Sequence, residues 1–245
     1  IVTISIVTAL LPHMSKLAIN KKIEDVKEQL LRAIKTVAVL TIPSSVAFLL
    51  FGPLITEVLF FGIDKNDGIY IGYVLSALSL GLVAFSINLV LIRGFNAFED
   101  TRTQVWSILI INIISVGLSY LFLAVLPSDW VTVGLGFAFS VSYLIGLFIT
   151  LRLLKKHTGT IHIREFIGQH GRLLSAALIA MLPIFAISQY FGWVGSDQSS
   201  LIRASELLFV IVAGALGYFF AAKALRITEV SGITALILRR NKVEE

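Results

Sequence analysis

Long apolar stretches without Asp, Glu, Lys or Arg alternate along the chain with short charged segments. A transmembrane helix needs about 20 such residues to cross the hydrocarbon of a bilayer. Five stretches reach that length, and Lys223 and Arg226 extend a sixth because their side chains can reach the interface. We expect the first stretch to be the truncated end of a helix. The pattern predicts an all-α polytopic membrane protein with six full transmembrane helices and a truncated first one, at residues 1–15, 36–56, 68–92, 103–128, 130–151, 173–196 and 207–222.

The basic residues lie almost entirely in alternate connections. Eighteen of the 20 Lys and Arg fall in 16–35, 93–102, 152–172 and 223–245. Because short cytoplasmic loops are enriched in Lys and Arg, these connections are predicted to be cytoplasmic, as is the C-terminus. The net charge of +5 is then a topology signal. It predicts contact with anionic lipid headgroups and no nucleic-acid partner.

Composition excludes most other classes. Hydrophobic residues make up 57% of the chain and charged residues 14%, against about 25% charged in soluble domains. The absence of cysteine removes disulfides and thiolate metal sites. We found no enzyme motif, and the histidines lack metal-ligand spacing, so we predict no catalytic residue, no metal and no cofactor. All four are expected near the cytoplasmic surface: His13, His157, His162 and His170.

The spans carry packing signals and a few polar positions. A small residue recurs at every fourth position from Gly134 to Thr150, which predicts close helix contact. Prolines within helices are candidate hinges, at Pro12, Pro43 and Pro183. Four polar side chains either bond to a neighbouring helix or line a cavity or cation site: Asn88, Asn112, Ser115 and Ser119.

Two segments have an apolar and a charged face at helical spacing, 17–35 and 227–240. Each is either an interfacial helix or a plain connector. The turn at 93–103 carries both charge signs between two spans. Asp100 or Thr101 is suited to cap the next helix, and Arg93 and Arg102 to pair with acidic neighbours or lipid phosphate.

This turn resembles the R-x-F-x-A-x-x-D-T-[RK]-T-P loop of the MurJ/MviN lipid II flippases, which belong to the multidrug, oligosaccharidyl-lipid and polysaccharide exporter superfamily. Gln104 replaces the final proline. The stretch 8–16 resembles the family's T-x-L-L-P-x-L-S-[RK] segment. The motif residues in this chain are Arg93, Gly94, Phe95, Ala97, Asp100, Thr101, Arg102 and Thr103.

The resemblance implies the C-terminal lobe of a two-lobed, fourteen-helix transporter of the bacterial inner membrane. It implies that the lobe moves lipid II by alternating access for cell-wall synthesis, with a missing N-terminal lobe that holds the headgroup. Coupling to an ion or the membrane potential stays open. A cation site would fall near Asn112, where no carboxylate accompanies it. The implied parts are a helix end at 1–15, an amphipathic segment at 16–35, four spans at 36–151, a basic loop at 152–172, two additional spans at 173–225 and a tail at 226–245.

Two alternatives remain. One is a flippase for another polyprenyl-linked oligosaccharide. The other is a non-transporting scaffold that recruits cell-wall proteins through its basic loop and tail at 152–172 and 223–245.

Overall fold

The computed structural model describes residue 12 and residues 14–159, 163–195 and 199–227. The expected helix end at 1–15 lies mostly outside these residues, as do His13, His162 and almost all of the tail from 226 onward. Six described helices are long and apolar enough to cross a membrane. The helices are α1 (Ile23–Leu59), α2 (Lys65–Ala97), α3 (Thr101–Val125), α4 (Val131–Thr158), α5 (Ile163–Tyr190) and α6 (Ser200–Ala224), with a 3₁₀ turn at Ser128–Trp130 before α4. The prediction of six full spans is confirmed.

The helices extend beyond the charge-free stretches. α1 begins well before residue 36, because the amphipathic segment at 17–35 continues directly into the first span. A turn with Lys21 at φ 56° precedes it, and the apolar face of its first turns is buried within the protein, at Val26, Leu30 and Ile34. Most of the segment 17–35 therefore belongs to α1, where the sequence left an interfacial helix and a plain connector open.

The expected basic loop at 152–172 is also mostly helical. α4 continues to Thr158 and α5 begins at Ile163. Lys and Arg are good helix formers, so charge ends the apolar stretch without ending the helix.

The helices form two compact units, Ile1–Thr41 with Ala77–Ile163 and Ile42–Ser76 with Arg164–Glu245. The first unit contains the start of α1, most of α2, and α3 and α4. The second contains the end of α1, the start of α2, and α5 and α6.

In the first unit, the small-residue stripe of α4 is buried as predicted, at Gly134, Ala138, Ser142, Gly146 and Thr150. Ser140 Oγ donates to the carbonyl of Ala77 at 2.6 Å, and Ser107 and Thr150 hydroxyls lie 2.7 Å apart. A Cβ on Gly81 would lie 2.5 Å from the Ser140 Cα. α4 is thus the central packing element of this unit.

In the second unit, the end of α1 packs closely against the start of α2. Thr56 Oγ1 donates to the carbonyl of Gly68 at 2.7 Å, and a Cβ on Gly72 would overlap the Pro53 backbone. The α1 backbone leaves helical geometry at Phe51, two residues before Pro53. Pro43 and Pro183 lie inside α1 and α5, and their role as hinges stays a prediction.

Candidate functional site at the motif turn

The turn between α2 and α3 is closed by its own backbone. The Asp100 N–H donates to the carbonyl of Phe95 at 3.0 Å, and the Phe98 N–H donates to the same carbonyl at 3.1 Å. Glu99 has φ 57°, a left-handed conformation that lets the chain reverse between the two helices. The turn therefore has a fixed path from the last residues of α2 to the first of α3.

Of the two candidate caps, Asp100 and Thr101, it is Asp100 that caps α3. Its Oδ1 accepts a hydrogen bond from the Thr103 N–H at 3.0 Å. The side chain and backbone of Thr103, followed by the His157 ring, donate hydrogen bonds that hold the pKa of the Asp100 carboxyl well below its usual range. Asp100 is therefore a carboxylate at neutral pH.

The partner of Asp100 across the unit is His157, which the sequence analysis placed at the surface without a role. His157 Nε2 lies 2.7 Å from Asp100 Oδ2. Its ring stacks on Phe98 with centroids 5.0 Å apart and meets the edge of Phe95 at 6.4 Å. Within the described chain, Arg93 and Arg102 form no ion pair with an acidic neighbour, and their contact with lipid phosphate stays a prediction. The spacing of 57 residues between Asp100 and His157 left no local sequence signal for their contact.

The apolar motif residues anchor the turn. Phe95 is fully buried and Ala97 nearly so. A Cβ on Gly94 would lie 3.4 Å from the side-chain methyl groups of both Leu30 and Leu154, so the end of α2 packs closely between α1 and α4 at this position. Of the other motif residues, Arg93 and Thr103 are half-buried, whereas Thr101 and Arg102 are exposed.

The four polar span residues do not form one site in the described structure. Asn88 is buried and its Nδ2 donates to the carbonyls of Ala84 and Tyr143, at 3.0 and 3.3 Å. Asn112 is exposed and donates to Ile108 one turn back. Ser119 donates to the carbonyl of Ser115, also within α3. Asn88 thus serves helix packing, whereas the face with Asn112 is open.

A charged pair that the sequence analysis missed lies in the second unit. Arg203 Nη1 is 3.8 Å from Glu57 Oε1, and the Glu57 side chain is almost fully buried. Both residues were expected in loops between spans, but α1 and α6 extend to include them. The described residues contain no group of three or more His, Asp or Glu that could hold a metal ion.

Comparison with known proteins identifies the family. The family described as "Lipid II flippase MurJ" matches residues 1–202. The chain belongs to this family.

Relatives in the family include the probable lipid II flippase MurJ of Rhizobium meliloti strain 1021. It is 25% identical over 225 residues, which are 90% of this chain and 41% of that protein. The probable lipid II flippase MurJ of Buchnera aphidicola subsp. Baizongia pistaciae is 24% identical over 219 residues, 89% of this chain and 42% of that protein.

A solved structure of the lipid II flippase MurJ in an inward closed conformation has the same fold. Its TM-score is 0.65 at 20% sequence identity, over 91% of this chain and 44% of that one. The chain therefore spans less than half the length of the MurJ proteins that it matches. The helices described above correspond to a part of the fold of this family, and the chain is a multi-pass membrane protein by the length and composition of those helices.

Proposed function

We propose that the chain forms the C-terminal lobe of a lipid II flippase in the bacterial inner membrane. The match of the MurJ family to residues 1–202 carries this proposal. It is supported by relatives whose names give the same activity and which are more than twice as long. The lobe works with an N-terminal lobe of the same protein, and the two alternate in opening the substrate path to either side of the membrane.

The apolar parts of the described helices offer few groups that could bind a charged headgroup. Charged side chains are scarce in the apolar parts of α2, α3 and α4, and intramembrane charges usually mark an ion or headgroup path. We therefore assign the pyrophosphate headgroup of lipid II to the N-terminal lobe. Many large apolar side chains on α5 and α6 are exposed, and we assign to these helices the contact with the polyprenyl tail, at Ile179, Leu182, Leu208, Ile211 and Phe220.

The orientation follows from charge. The basic ends of the helices, including Arg152, Lys155 and Lys156 at the end of α4, face the cytoplasm in this proposal. These exposed side chains contact anionic lipid headgroups there. The C-terminus is also cytoplasmic.

A depletion experiment tests the substrate. The complete protein that contains this chain is expressed in a bacterium whose own lipid II flippase can be switched off. The amount of lipid II in the outer leaflet is then measured with a reagent that cannot cross the membrane. We expect the protein to restore outward movement of lipid II, and the proposal fails if lipid II stays inside while the protein is present in the membrane.

Two comparisons separate the alternatives. A lipid-linked O-antigen precursor measured in the same cells should not move faster when the protein is expressed. Truncation after residue 227 should leave lipid II movement in place, whereas a scaffold that recruits proteins through its tail would lose its effect.

A further inference from the structure

An exposed apolar turn joins α1 to α2 at one end of the second unit. The exposed fractions of its large side chains are 63% at Leu59, 48% at Phe60, 79% at Phe61 and 45% at Ile63. We call residues 59–63 the hairpin tip. A run of large apolar side chains exposed at a connection marks contact with a membrane or with another protein.

The backbone of the hairpin tip forms a closed turn. The Phe60 N–H donates to the carbonyl of Thr56 at 2.9 Å, and the Ile63 N–H donates to the carbonyl of Phe60 at 3.3 Å. Gly62 has φ 106°, a conformation that glycine adopts readily and other residues rarely do. Just below the tip, Thr56 Oγ1 donates to the carbonyl of Gly68 in α2 at 2.7 Å. These bonds fix the turn that presents the apolar side chains.

Aromatic residues in the connection between α5 and α6 mark a boundary of the membrane. Tyr190 and Phe191 are exposed at 86% and 64%, and their ring centroids lie 5.2 Å apart. Trp193 follows two residues later and is half-buried. Trp and Tyr are enriched where the hydrocarbon meets the headgroups. We therefore place the end of α5 at this boundary.

The same connection packs on the start of α2, which the hairpin tip directly precedes. A Cβ on Gly195 would lie 3.5 Å from the Ile69 side chain and 3.9 Å from the Lys65 side chain. The tip therefore lies at the same boundary. Asp64 and Asp67 are exposed beside it. Because a charge is costly in hydrocarbon, these two side chains stay in water and the tip enters the membrane only to a shallow depth.

We propose that the hairpin tip inserts into the adjacent lipid leaflet and anchors the second unit there. Lipid is the partner because the exposed apolar side chains of α5 and α6 already form a surface that faces hydrocarbon, and the tip continues it at the boundary. Insertion removes the apolar side chains of the tip from water. Glu57, at the base of the tip, pairs with Arg203, so the anchor also sets the depth of α6.

The choice of leaflet rests on the proposed function. In the orientation given there, with the basic helix ends in the cytoplasm, the tip lies in the outer leaflet. The insertion itself does not depend on that orientation or on which lipid the protein moves.

A spin label measures the depth of the tip. This chain contains no cysteine, so Phe61→Cys gives one attachment site once any cysteine elsewhere in the complete protein is replaced by serine. The labelled complete protein is placed in vesicles of phosphatidylethanolamine and phosphatidylglycerol. The accessibility of the label to oxygen, which concentrates in hydrocarbon, and to a water-soluble nickel chelate is then measured.

Two reference positions calibrate the result. Asn66→Cys is the matched control, since Asn66 is exposed between the two acidic residues of the same hairpin and should report water. Phe220→Cys, exposed on α6, should report hydrocarbon. We expect the oxygen-to-nickel ratio at residue 61 to be at least about fivefold that at residue 66, because a polar complex is excluded from hydrocarbon.

A further variant tests whether the apolar side chains cause the insertion. Addition of Phe60→Ser and Ile63→Ser to the labelled Phe61→Cys protein should lower its ratio towards that at residue 66. A ratio that does not fall shows that these side chains do not anchor the tip, and overturns the proposal.

Two other results also overturn it. Equal ratios at residues 61 and 66 place the tip in water. Low accessibility at residue 61 to both oxygen and the nickel chelate shows that another part of the complete protein covers the tip. The measurement needs no lipid II, so a failure here is distinct from a failure of lipid II movement in the depletion experiment.

Discussion

Arg203 and Glu57 bring the start of α6 into ionic contact with the end of α1. Their charged atoms lie 3.8 Å apart, and the Glu57 side chain is 1% exposed. Neither carboxylate oxygen of Glu57 accepts a hydrogen bond in the described structure. A buried carboxylate in this state depends on a nearby cation, because transfer of a lone charge from water to a low-dielectric interior is costly. The pair therefore fixes α6 against the α1–α2 hairpin within the second unit.

Removal of the arginine should be more harmful than removal of both partners. Arg203→Ala leaves the Glu57 charge buried and uncompensated, which costs about 3 kcal/mol in comparable buried pairs. Addition of Glu57→Leu to that variant removes the buried charge and should recover much of the lost stability. The stability of the single and the double variant is measured by thermal unfolding of the purified protein in detergent.

Arg102→Ala serves as the control for the loss of an arginine, because Arg102 is exposed and forms no ion pair among the described residues. Its unfolding temperature should match that of the native protein. If the unfolding temperature falls equally in Arg203→Ala and in the double variant, the buried charge of Glu57 is not the cause of the destabilisation.

The contact between α1 and α2 should be sensitive to a single methyl group. Gly72→Ala places its Cβ into the Pro53 backbone, which cannot move aside as a flexible side chain can. Overpacking of this kind costs about 1–3 kcal/mol and sometimes more. Gly117→Ala is the matched control, since nothing lies within 4 Å of its Cβ and alanine favours a helix. Yield and thermal stability should fall for Gly72→Ala and stay the same or rise for Gly117→Ala, and an unchanged Gly72→Ala protein contradicts the packing described.

The spans were predictable because their cause is local. A run of about 20 apolar residues has few other stable states than a membrane helix, and each run can be read without knowledge of its neighbours. The residues at which the helices begin and end were less predictable. Glu57 ends the apolar stretch 36–56 and Arg203 lies before the stretch 207–222, yet both lie inside helices and form an ion pair with each other.

In the motif turn, too, the local feature was predictable and the contact between distant residues was not. The cap of α3 depends on residues three positions apart, and the sequence narrowed it to Asp100 or Thr101. The contact of Asp100 with His157 depends on how α2 and α4 pack against each other. The two residues are 57 positions apart, and a single sequence does not show which side chains meet across that interval. The same holds for Asn88 and Asn112, which looked alike in sequence but lie buried and exposed.

Loss of the cap should destabilise the turn by a modest amount. Asp100→Ala removes the acceptor for the Thr103 N–H and the partner of His157, and N-cap losses in soluble proteins are about 0.5–2 kcal/mol. Asp129→Ala is the control, because this acidic residue is exposed in the 3₁₀ turn. We expect this substitution to leave the stability unchanged. Thermal stability and folded yield of the two variants are compared. Equal stability would mean that the Asp100 cap contributes little to the stability of the protein.

Acid should remove the contribution of the Asp100 charge. The pKa of this carboxyl is lowered on folding by the hydrogen bonds from Thr103 and His157, so the folded state binds its proton less readily than the unfolded state. The resulting stability is present above the ordinary Asp value of about 4 and is lost as the pH falls through the folded pKa. Asp100→Asn lacks this charge. The difference in unfolding temperature between native protein and Asp100→Asn should therefore hold as the pH falls from 6 to 5, and should narrow below about pH 4. A difference that stays constant down to pH 3 would show that the carboxylate charge does not stabilise the turn, and that capping by either side chain is sufficient.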